Sequence, residues 1–204
     1  MPDVLILTDE LFIGTGDHQA TYINPIDRAK CIKIPHTPDD GDVKKEMRYR
    51  RICKDKLENS VLITKYYVLV ETNKGWGHVF ERVINVDGSP GKHLNDFLTK
   101  GTPSLSEMEV ITKLMMNFKK DFLREKIVIV DNDITNFMVQ QISQNEYRIR
   151  IIDNIGTPAF IPFVYYFEFI ATLKCQRYWN YLVGWLQSHY PKIFNEELTK
   201  NLKA

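Results

Sequence analysis

Residues 1–100 alternate short apolar runs with turn residues, which is the pattern of β-strands on a half-buried sheet. Strands are predicted over residues 11–13, 20–23, 30–34, 61–71 and 76–84. Acidic residues at 39–42 offer N-caps for one helix over about 43–57. A turn at 87–88 follows, and a short helix is predicted over 94–98.

Residues 101–204 carry longer helical patterns. Ser104 and Glu107 form a capping-box sequence, which marks the start of a helix. Apolar residues then recur three and four positions apart along one helix face: Met108, Ile111, Met115, Phe118 and Phe122. Further elements are short strands over 127–130, 137–139 and 147–152, and a helix over about 164–188, ended by Pro191. The change of pattern predicts an α+β fold, with a β-rich part over residues 1–84 and a helical part over 85–204.

The composition suits a cytoplasmic domain and shows no bias toward one kind of partner. Hydrophobic residues make up 44% of the chain and charged residues 26%. The formal net charge of +1 counts against nucleic acid as a binding partner. The three cysteines, Cys31, Cys53 and Cys175, form neither a zinc pattern nor a disulfide framework. The longest apolar run, 159–173, contains a proline and a glutamate, so no membrane span is predicted.

The most specific chemical signal is a set of oxygen-bearing side chains at the ends of predicted strands. Asp131 and Asn136 lie in one polar loop between two short strands, and Asp153 ends the next strand. Phosphoryl transfer needs a carboxylate that orients the attacking hydroxyl and oxygen ligands that hold Mg²⁺ against the phosphates. Each piece alone is also explained as a polar turn. Their combined spacing favours phosphoryl transfer.

A glycine-containing turn and a strand lysine form a second, looser signal. Gly14, Thr15 and Gly16 join two strands, where backbone N–H groups can approach phosphate oxygens closely. Lys33 has an isoleucine on each side, so its side chain points to the other face of the sheet, toward a cleft. Glu46, on the following helix, is the anionic partner expected for it. A tight β-turn, a solvent-facing lysine and a surface glutamate are the alternatives.

The same predicted helix is strongly basic, with Lys44, Lys45, Arg48, Arg50, Arg51, Lys54 and Lys56. An ordinary solvated face explains such a run of charge. The second interpretation is a patch for an anionic partner, such as a phosphorylated sugar, an acidic protein or nucleic acid. The sequence leaves both open.

Taken together, these residues resemble the protein kinase-like superfamily, and within it the YrbL family of PhoP regulatory network proteins. The resemblance rests on the glycine-containing turn, the turn at 22–25, and the segments 31–34, 71–77, 79–81 and 87–88. It implies a two-lobed kinase-like fold with a β-rich N-terminal lobe and a reduced helical C-terminal lobe. It also implies ATP and Mg²⁺ as cofactors.

The resemblance implies a role for each candidate residue on the nucleotide side of the site. The turn at 14–16 would cover the phosphates, Lys33 would bind them, and Glu46 would hold Lys33 in place. The backbone from Glu81 to Val83 would bond adenine, and Asp87 would reach the ribose. On the catalytic side, the resemblance makes Asp131 the base, with Asn136 and Asp153 as Mg²⁺ ligands.

Departures from the kinase pattern limit what the resemblance implies. Ile129 and Val130 replace the His-Arg pair before the base, which argues against control by a phosphorylated activation loop. Asp133 stands where many Ser/Thr protein kinases carry a lysine, which argues against protein-serine substrates. Gln19 replaces the third glycine of the loop.

The sequence therefore predicts an ATP-dependent phosphotransferase with a hydroxyl-bearing acceptor, either a small molecule or sugar, or a protein. Few residues follow Gly156 for substrate-docking helices, so the acceptor stays open. The alternative is a kinase-like regulatory or nucleotide-binding module with little or no activity. A third hypothesis, an anion-binding protein that uses the basic helix, is weakened by the near-neutral charge.

Overall fold

The computed structural model describes residues 4–38, 40–98, 101–130, 133–157 and 163–204. Its N-terminal part is a five-stranded antiparallel sheet in the order β1-β2-β3-β5-β4. The strands are β1 (Phe12–Thr15), β2 (Gln19–Ile23), β3 (Lys30–Pro35), β4 (Tyr66–Thr72) and β5 (Gly75–Glu81). Leu7, Tyr22, Ile32, Ile34 and Val79 form a small core on one face. The predicted β-rich N-terminal part is confirmed.

β4 begins later than predicted because the residues before it bond elsewhere. The Ile151 N–H donates to the Leu62 carbonyl at 2.8 Å, and the Thr64 N–H donates to the Ile151 carbonyl at 3.2 Å. These bonds fasten the segment before β4 to the second half of the chain.

The basic segment after β3 folds as two helices, α1 (Gly41–Ile52) and α2 (Lys54–Glu58). Asp40 caps α1, since its carboxylate accepts the N–H groups of Asp42 and Val43. The predicted acidic N-cap is confirmed. The predicted single helix is interrupted at Cys53, which separates α1 from α2.

The second half of the chain combines a small sheet with helices. A three-stranded antiparallel sheet contains β6 (Lys92–His93), β7 (Phe137–Ser143) and β8 (Glu146–Ile151), in that order. The helices are α3 (Leu94–Phe97), α4 (Leu105–Glu125), α5 (Phe163–Tyr166), α6 (Glu168–His189) and α7 (Glu196–Lys203). A short 3-10 turn, Ile134–Asn136, leads directly into β7. Together these elements surround the larger of the two cores.

α4 forms as the sequence predicts. The Ser104 hydroxyl accepts the Glu107 N–H at 3.3 Å, and the Glu107 carboxylate accepts the Ser104 N–H at 2.7 Å, which completes the capping box. The predicted apolar face is also confirmed: Ile111, Met115, Phe118 and Phe122 are buried, and Met108 packs beside them.

Two other predictions differ from the structure. The predicted strand over 127–130 is reduced to an isolated bridge between Ile129 and Ile155, because the neighbouring backbone bonds to the loop after β8. The predicted C-terminal helix is split at Phe167, between α5 and α6, and α7 was not predicted. Trp179, buried on α6, donates its indole N–H to the Leu202 carbonyl at 2.7 Å and so holds α7 in place. None of the described helices is long and apolar enough to cross a membrane.

Removing the cap of α4 should destabilise the fold without touching its core. Ser104 and Glu107 are exposed, so Ser104→Ala should lower the free energy of unfolding by about 1 kcal/mol through loss of the cap alone. Urea denaturation checks this. Ser188→Ala is the control, because that hydroxyl donates only to a carbonyl within α6. Equal stability of Ser104→Ala and wild type would contradict the assigned cap.

Candidate functional site

A cavity of about 620 Å³ lies between the five-stranded sheet, α1 and the segments around β7 and β8. That volume suits a small-molecule ligand. The cavity brings together most of the predicted site residues, which are Gly14, Thr15, Gly16, Lys33, Glu46, Glu81, Val83, Asn136 and Asp153. Asp131 lies outside the described residues, and Asp87 does not line the cavity.

Lys33 reaches the cavity because of its position in β3. Ile32 and Ile34 point into the sheet core, so strand alternation sends Lys33 to the other face. Its Nζ donates to Asp153 Oδ2 at 3.0 Å and to the Ile152 carbonyl at 2.7 Å. The Lys33 side chain is almost fully buried, and the charge of Asp153 keeps its pKa raised despite burial. The lysine is therefore a cation inside the cavity.

Asp153 follows β8, in a loop whose next residue, Asn154, has a left-handed backbone with φ of 57°. Asparagine tolerates that conformation better than most residues. The Asn154 N–H donates to Asp153 Oδ1 at 3.0 Å. Burial alone would raise the pKa of Asp153. The charge of Lys33, together with the hydrogen bonds from Lys33 and from the Asn154 N–H, lowers it to about 2. Asp153 is therefore an ionised carboxylate beside a lysine ammonium.

Glu46 has a different direct partner from the one the sequence suggested. It accepts the Arg50 Nε–H at 2.8 Å and the Asn154 N–H at 3.2 Å, and the described residues contain no Lys33–Glu46 ion pair. Arg50 lies one helical turn along α1, where side chains four residues apart face each other. Burial, together with the nearby Asp153 carboxylate, raises the pKa of Glu46 to about 7. Glu46 thus borders the Lys33–Asp153 pair without bonding to the lysine.

Arg50 was grouped with the basic surface, but it is buried. It donates to the Thr64 carbonyl at 3.0 Å, and its guanidinium lies 4.8 Å from the centre of the Phe80 ring. Of the other cations, Lys45 and Lys54 pair with neighbouring carboxylates and Lys56 donates to a backbone carbonyl. These contacts favour the solvated-face interpretation over an anion-binding patch. The four-residue spacing of Glu46 and Arg50 is the signal in the sequence that could have identified this buried pair.

Asn136 ends the 3-10 turn before β7 and is buried at the cavity wall. The Ile152 N–H donates to its carbonyl at 2.9 Å, which places Asn136 beside the chain that leads from β8 to Asp153. Asp133 caps the same turn, because its carboxylate accepts the Thr135 N–H at 2.9 Å. Amide and carboxylate oxygens of this kind fit a hard cation such as Mg²⁺.

The segment after β5 supplies backbone groups to the cavity. The Glu81 Oε2 lies 2.7 Å from Arg150 Nη2, so this carboxylate is already paired and Glu81 can offer a ligand only its backbone. The Val83 carbonyl accepts the Gly91 N–H at 3.0 Å, and the Val83 N–H has no acceptor among the described residues. An N–H of this kind at a cavity wall can bond a heterocyclic ligand.

Asp87 stands apart from the cavity because it closes its own turn. Its carboxylate accepts the Ser89 hydroxyl at 2.6 Å and the Ser89 N–H at 2.9 Å. His93 and Asn95 line the cavity instead, and His93 Nδ1 lies 2.8 Å from the Thr135 carbonyl. Sequence reasoning missed both residues, since neither belongs to a recognisable pattern.

The glycine-containing turn leaves open space at the cavity. A Cβ at Gly14 or Gly16 would meet nothing within 4 Å, so packing does not require either glycine. His36 Nε2 lies 2.9 Å from the Gly16 carbonyl and thereby holds the turn against β3. The open space beside Gly14 and Gly16 is consistent with the close approach of a phosphate group to the turn.

His18 fastens the same turn to the start of α1. Its Nδ1 lies 2.9 Å from Asp40 and its Nε2 lies 3.5 Å from Asp42. The hydrogen bond to Asp40 raises the pKa of His18 by more than burial lowers it. The charges of Asp42 and Asp17 also raise this pKa. Protonation of His18 therefore strengthens this contact.

Fold and cavity together define a mixed α+β protein in which a buried lysine pairs with a half-buried carboxylate in a ligand-sized cavity. The family described as PhoP regulatory network protein YrbL matches residues 5–187, and the chain belongs to that family. Proteins named YrbL from Escherichia coli (strain K12) and Shigella flexneri are each 27% identical to it over 181 residues. The matched region covers 87% of this chain and 86% of each relative. The resemblance to the YrbL family inferred from the sequence is confirmed.

The His18 contact should hold the turn more tightly at low pH. Because the folded-state pKa is raised, its contribution is fully present below the unfolded value of about 6.5 and is lost as pH rises through the folded value. Hydrogen exchange of residues 14–18, corrected for intrinsic rates, should be slower near pH 6 than near pH 8. His18→Asn should remove the difference, while His36→Asn should retain it. A pH dependence that survives in His18→Asn would contradict this role.

Proposed function

We propose that this protein is an ATP-dependent phosphotransferase with a kinase-like two-lobed fold, which transfers the γ-phosphate to a hydroxyl-bearing acceptor. The observation that carries the proposal is the Lys33–Asp153 pair, 3.0 Å apart, in a cavity shared with the glycine-containing turn. A lysine on a central strand and a carboxylate after a later strand are the charged groups that phosphoryl transfer requires.

The arrangement of elements supports the fold part of the proposal. A five-stranded antiparallel sheet carries the lysine, α1 carries the buried Glu46, and the second sheet carries Asn136 and Asp153 at its margin. On this proposal the five-stranded sheet is the N-terminal lobe and residues 85–204 form the reduced C-terminal lobe. The ligand would lie between them.

Each wall of the cavity would meet a different part of ATP. The Lys33 ammonium would bind phosphate oxygens, under the glycine-containing turn. The Val83 N–H would bond the adenine edge, with the Cys31 and Met138 side chains lining the cavity nearby. Asn136 and Asp153 would hold Mg²⁺, which supplies charge neutralisation at the phosphates when bound.

The acceptor side of the proposal depends on Asp131. By the kinase pattern this carboxylate would orient the acceptor hydroxyl and take its proton while the hydroxyl oxygen bonds to the γ-phosphorus. The bond from that phosphorus to the β–γ bridging oxygen breaks, and ADP leaves. The acceptor is either a small molecule or sugar, or a protein. We place the reaction in the cytoplasm, where ATP is available and where Cys31, Cys53 and Cys175 would remain reduced thiols.

Lys33→Met tests the phosphate contact while keeping the apolar stem of the side chain. Loss of a charge-assisted hydrogen bond should weaken Mg²⁺-ATP binding about ten- to hundredfold in calorimetric titrations. Lys30→Met is the matched control, since Lys30 lies on the same strand, pairs with Asp27 and does not line the cavity. Wild-type ATP affinity in Lys33→Met would contradict the assignment of Lys33 as the residue that binds the phosphates.

Two aspartate variants separate chemistry from metal binding. Asp131→Asn should leave Mg²⁺-ATP affinity within about twofold of wild type and lower turnover at least a hundredfold, because the base acts on the acceptor. Asp153→Asn should instead weaken the Mg²⁺-dependent part of ATP binding, because it removes a charged ligand. The measurements are ATP affinity with and without Mg²⁺ and turnover, with melting temperature as the folding control.

Three outcomes decide between the proposals. Full activity of Asp131→Asn would show that another residue acts as the base, and Asp133 is the next candidate. Wild type that binds Mg²⁺-ATP but transfers phosphate to no sugar, small-molecule or protein acceptor, and does not hydrolyse ATP, would favour a regulatory nucleotide-binding module. Wild type that binds no nucleotide would overturn the ATP assignment itself.

A further inference from the structure

Gln19 extends into the cavity and donates to the carboxylate that the proposed function assigns to Mg²⁺. Its Nε2 lies 3.2 Å from Oδ2 and 3.5 Å from Oδ1 of Asp153. Strand alternation explains the direction of the side chain: Ala20 and Tyr22 pack in the sheet core, while Gln19 and Thr21 line the cavity. These two contacts, here called the Gln19 bridge, join the glycine-containing turn to the loop after β8.

Asp153 is already well supplied with hydrogen-bond donors. Lys33 donates to Oδ2 at 3.0 Å, the Asn154 N–H donates to Oδ1 at 3.0 Å, and the Gln19 amide contacts both oxygens. An ionised carboxylate offers about four acceptor positions in all. A metal ion that ligates Asp153 therefore competes with a donor that is already there.

The Gln19 amide is the donor that can leave at least cost. Lys33 carries the charge that balances Asp153, and the Asn154 N–H belongs to the adjacent backbone, so neither can withdraw without losing an ion pair or moving the loop. Gln19 is neutral, partly exposed and attached to a short turn. Its departure would break the two contacts of the Gln19 bridge, at 3.2 and 3.5 Å, and uncover an oxygen that faces the cavity.

We propose that Gln19 competes with the divalent cation for Asp153, so that metal binding requires the Gln19 bridge to open. The inference rests on the proposed function, because it takes Asp153 as a metal ligand. It adds a determinant of cation affinity at the position where kinases carry the third loop glycine. It also couples metal binding to release of the glycine-containing turn.

Titration with Mn²⁺ in the absence of nucleotide, followed by electron paramagnetic resonance, tests the competition. Gln19→Ala removes the competing amide, so Mn²⁺ should bind about three- to tenfold more tightly than to wild type. Gln141→Ala is the matched control, because Gln141 lies on β7, outside the cavity lining, and its Nε2 donates to the Gln144 carbonyl at 3.1 Å. That control should keep the wild-type Mn²⁺ affinity.

Asp153→Asn, alone and combined with Gln19→Ala, identifies the site that Mn²⁺ occupies. If Asp153→Asn weakens binding but Gln19→Ala leaves it unchanged, the competition is overturned and the metal assignment stands. If Asp153→Asn weakens binding in neither background, the competition and the metal assignment both fail. Melting temperatures of the variants show whether each is folded.

Hydrogen exchange provides a second readout that does not depend on metal affinity. Without metal, residues 14–18 should exchange faster in Gln19→Ala than in wild type, because the bridge no longer holds the turn. Saturating Mn²⁺ should speed the exchange of wild type toward the rate of the variant. Slower exchange of the wild-type turn on addition of Mn²⁺ would overturn the coupling.

Discussion

The ion pair between the buried Lys33 and the half-buried Asp153 is the contact on which the arrangement of the cavity depends. Taking a lone charge out of water costs far more than one hydrogen bond returns, so each of these groups needs the other. The pair joins a strand of the first sheet to the loop after the last strand of the second. Any ligand that enters the cavity meets a site whose charges are already balanced.

A second pair of charged side chains, which is buried, lies next to the first. Glu46 accepts the Nε–H of Arg50 on α1, and it also accepts the N–H of Asn154, next to Asp153. Four ionisable groups therefore share one buried region with two positive and up to two negative charges. The pKa of about 7 for Glu46 reflects that crowding, since burial and a neighbouring carboxylate both favour its protonated form.

The connections around the cavity explain why its walls stay in register. Arg150 binds Glu81 at 2.7 Å and the Ile63 carbonyl at 3.1 Å, and the segment before β4 bonds to Ile151. These contacts tie the start of β4 and the end of β5 to β8. The glycine-containing turn is held more lightly, by His18, His36 and Gln19. The turn is therefore the wall of the cavity that can move at the least cost.

Local patterns determined much of this protein. The capping box at Ser104, the apolar face of α4, the acidic cap of α1 and the direction of Lys33 all follow from contacts within a few residues, and each is found in the structure. The pattern around the turn and the strand lysine also sufficed to suggest the family. What the sequence could not decide is which polar and charged side chains meet.

In the structure Glu46 pairs with Arg50, Asp87 closes a turn of its own, and Gln19 reaches Asp153 across 134 positions. Whether Lys33 meets Glu46 or Asp153, and whether Gln19 reaches Asp153, depends on how two sheets approach each other. The spacing of residues along one strand or helix carries no information about that distance.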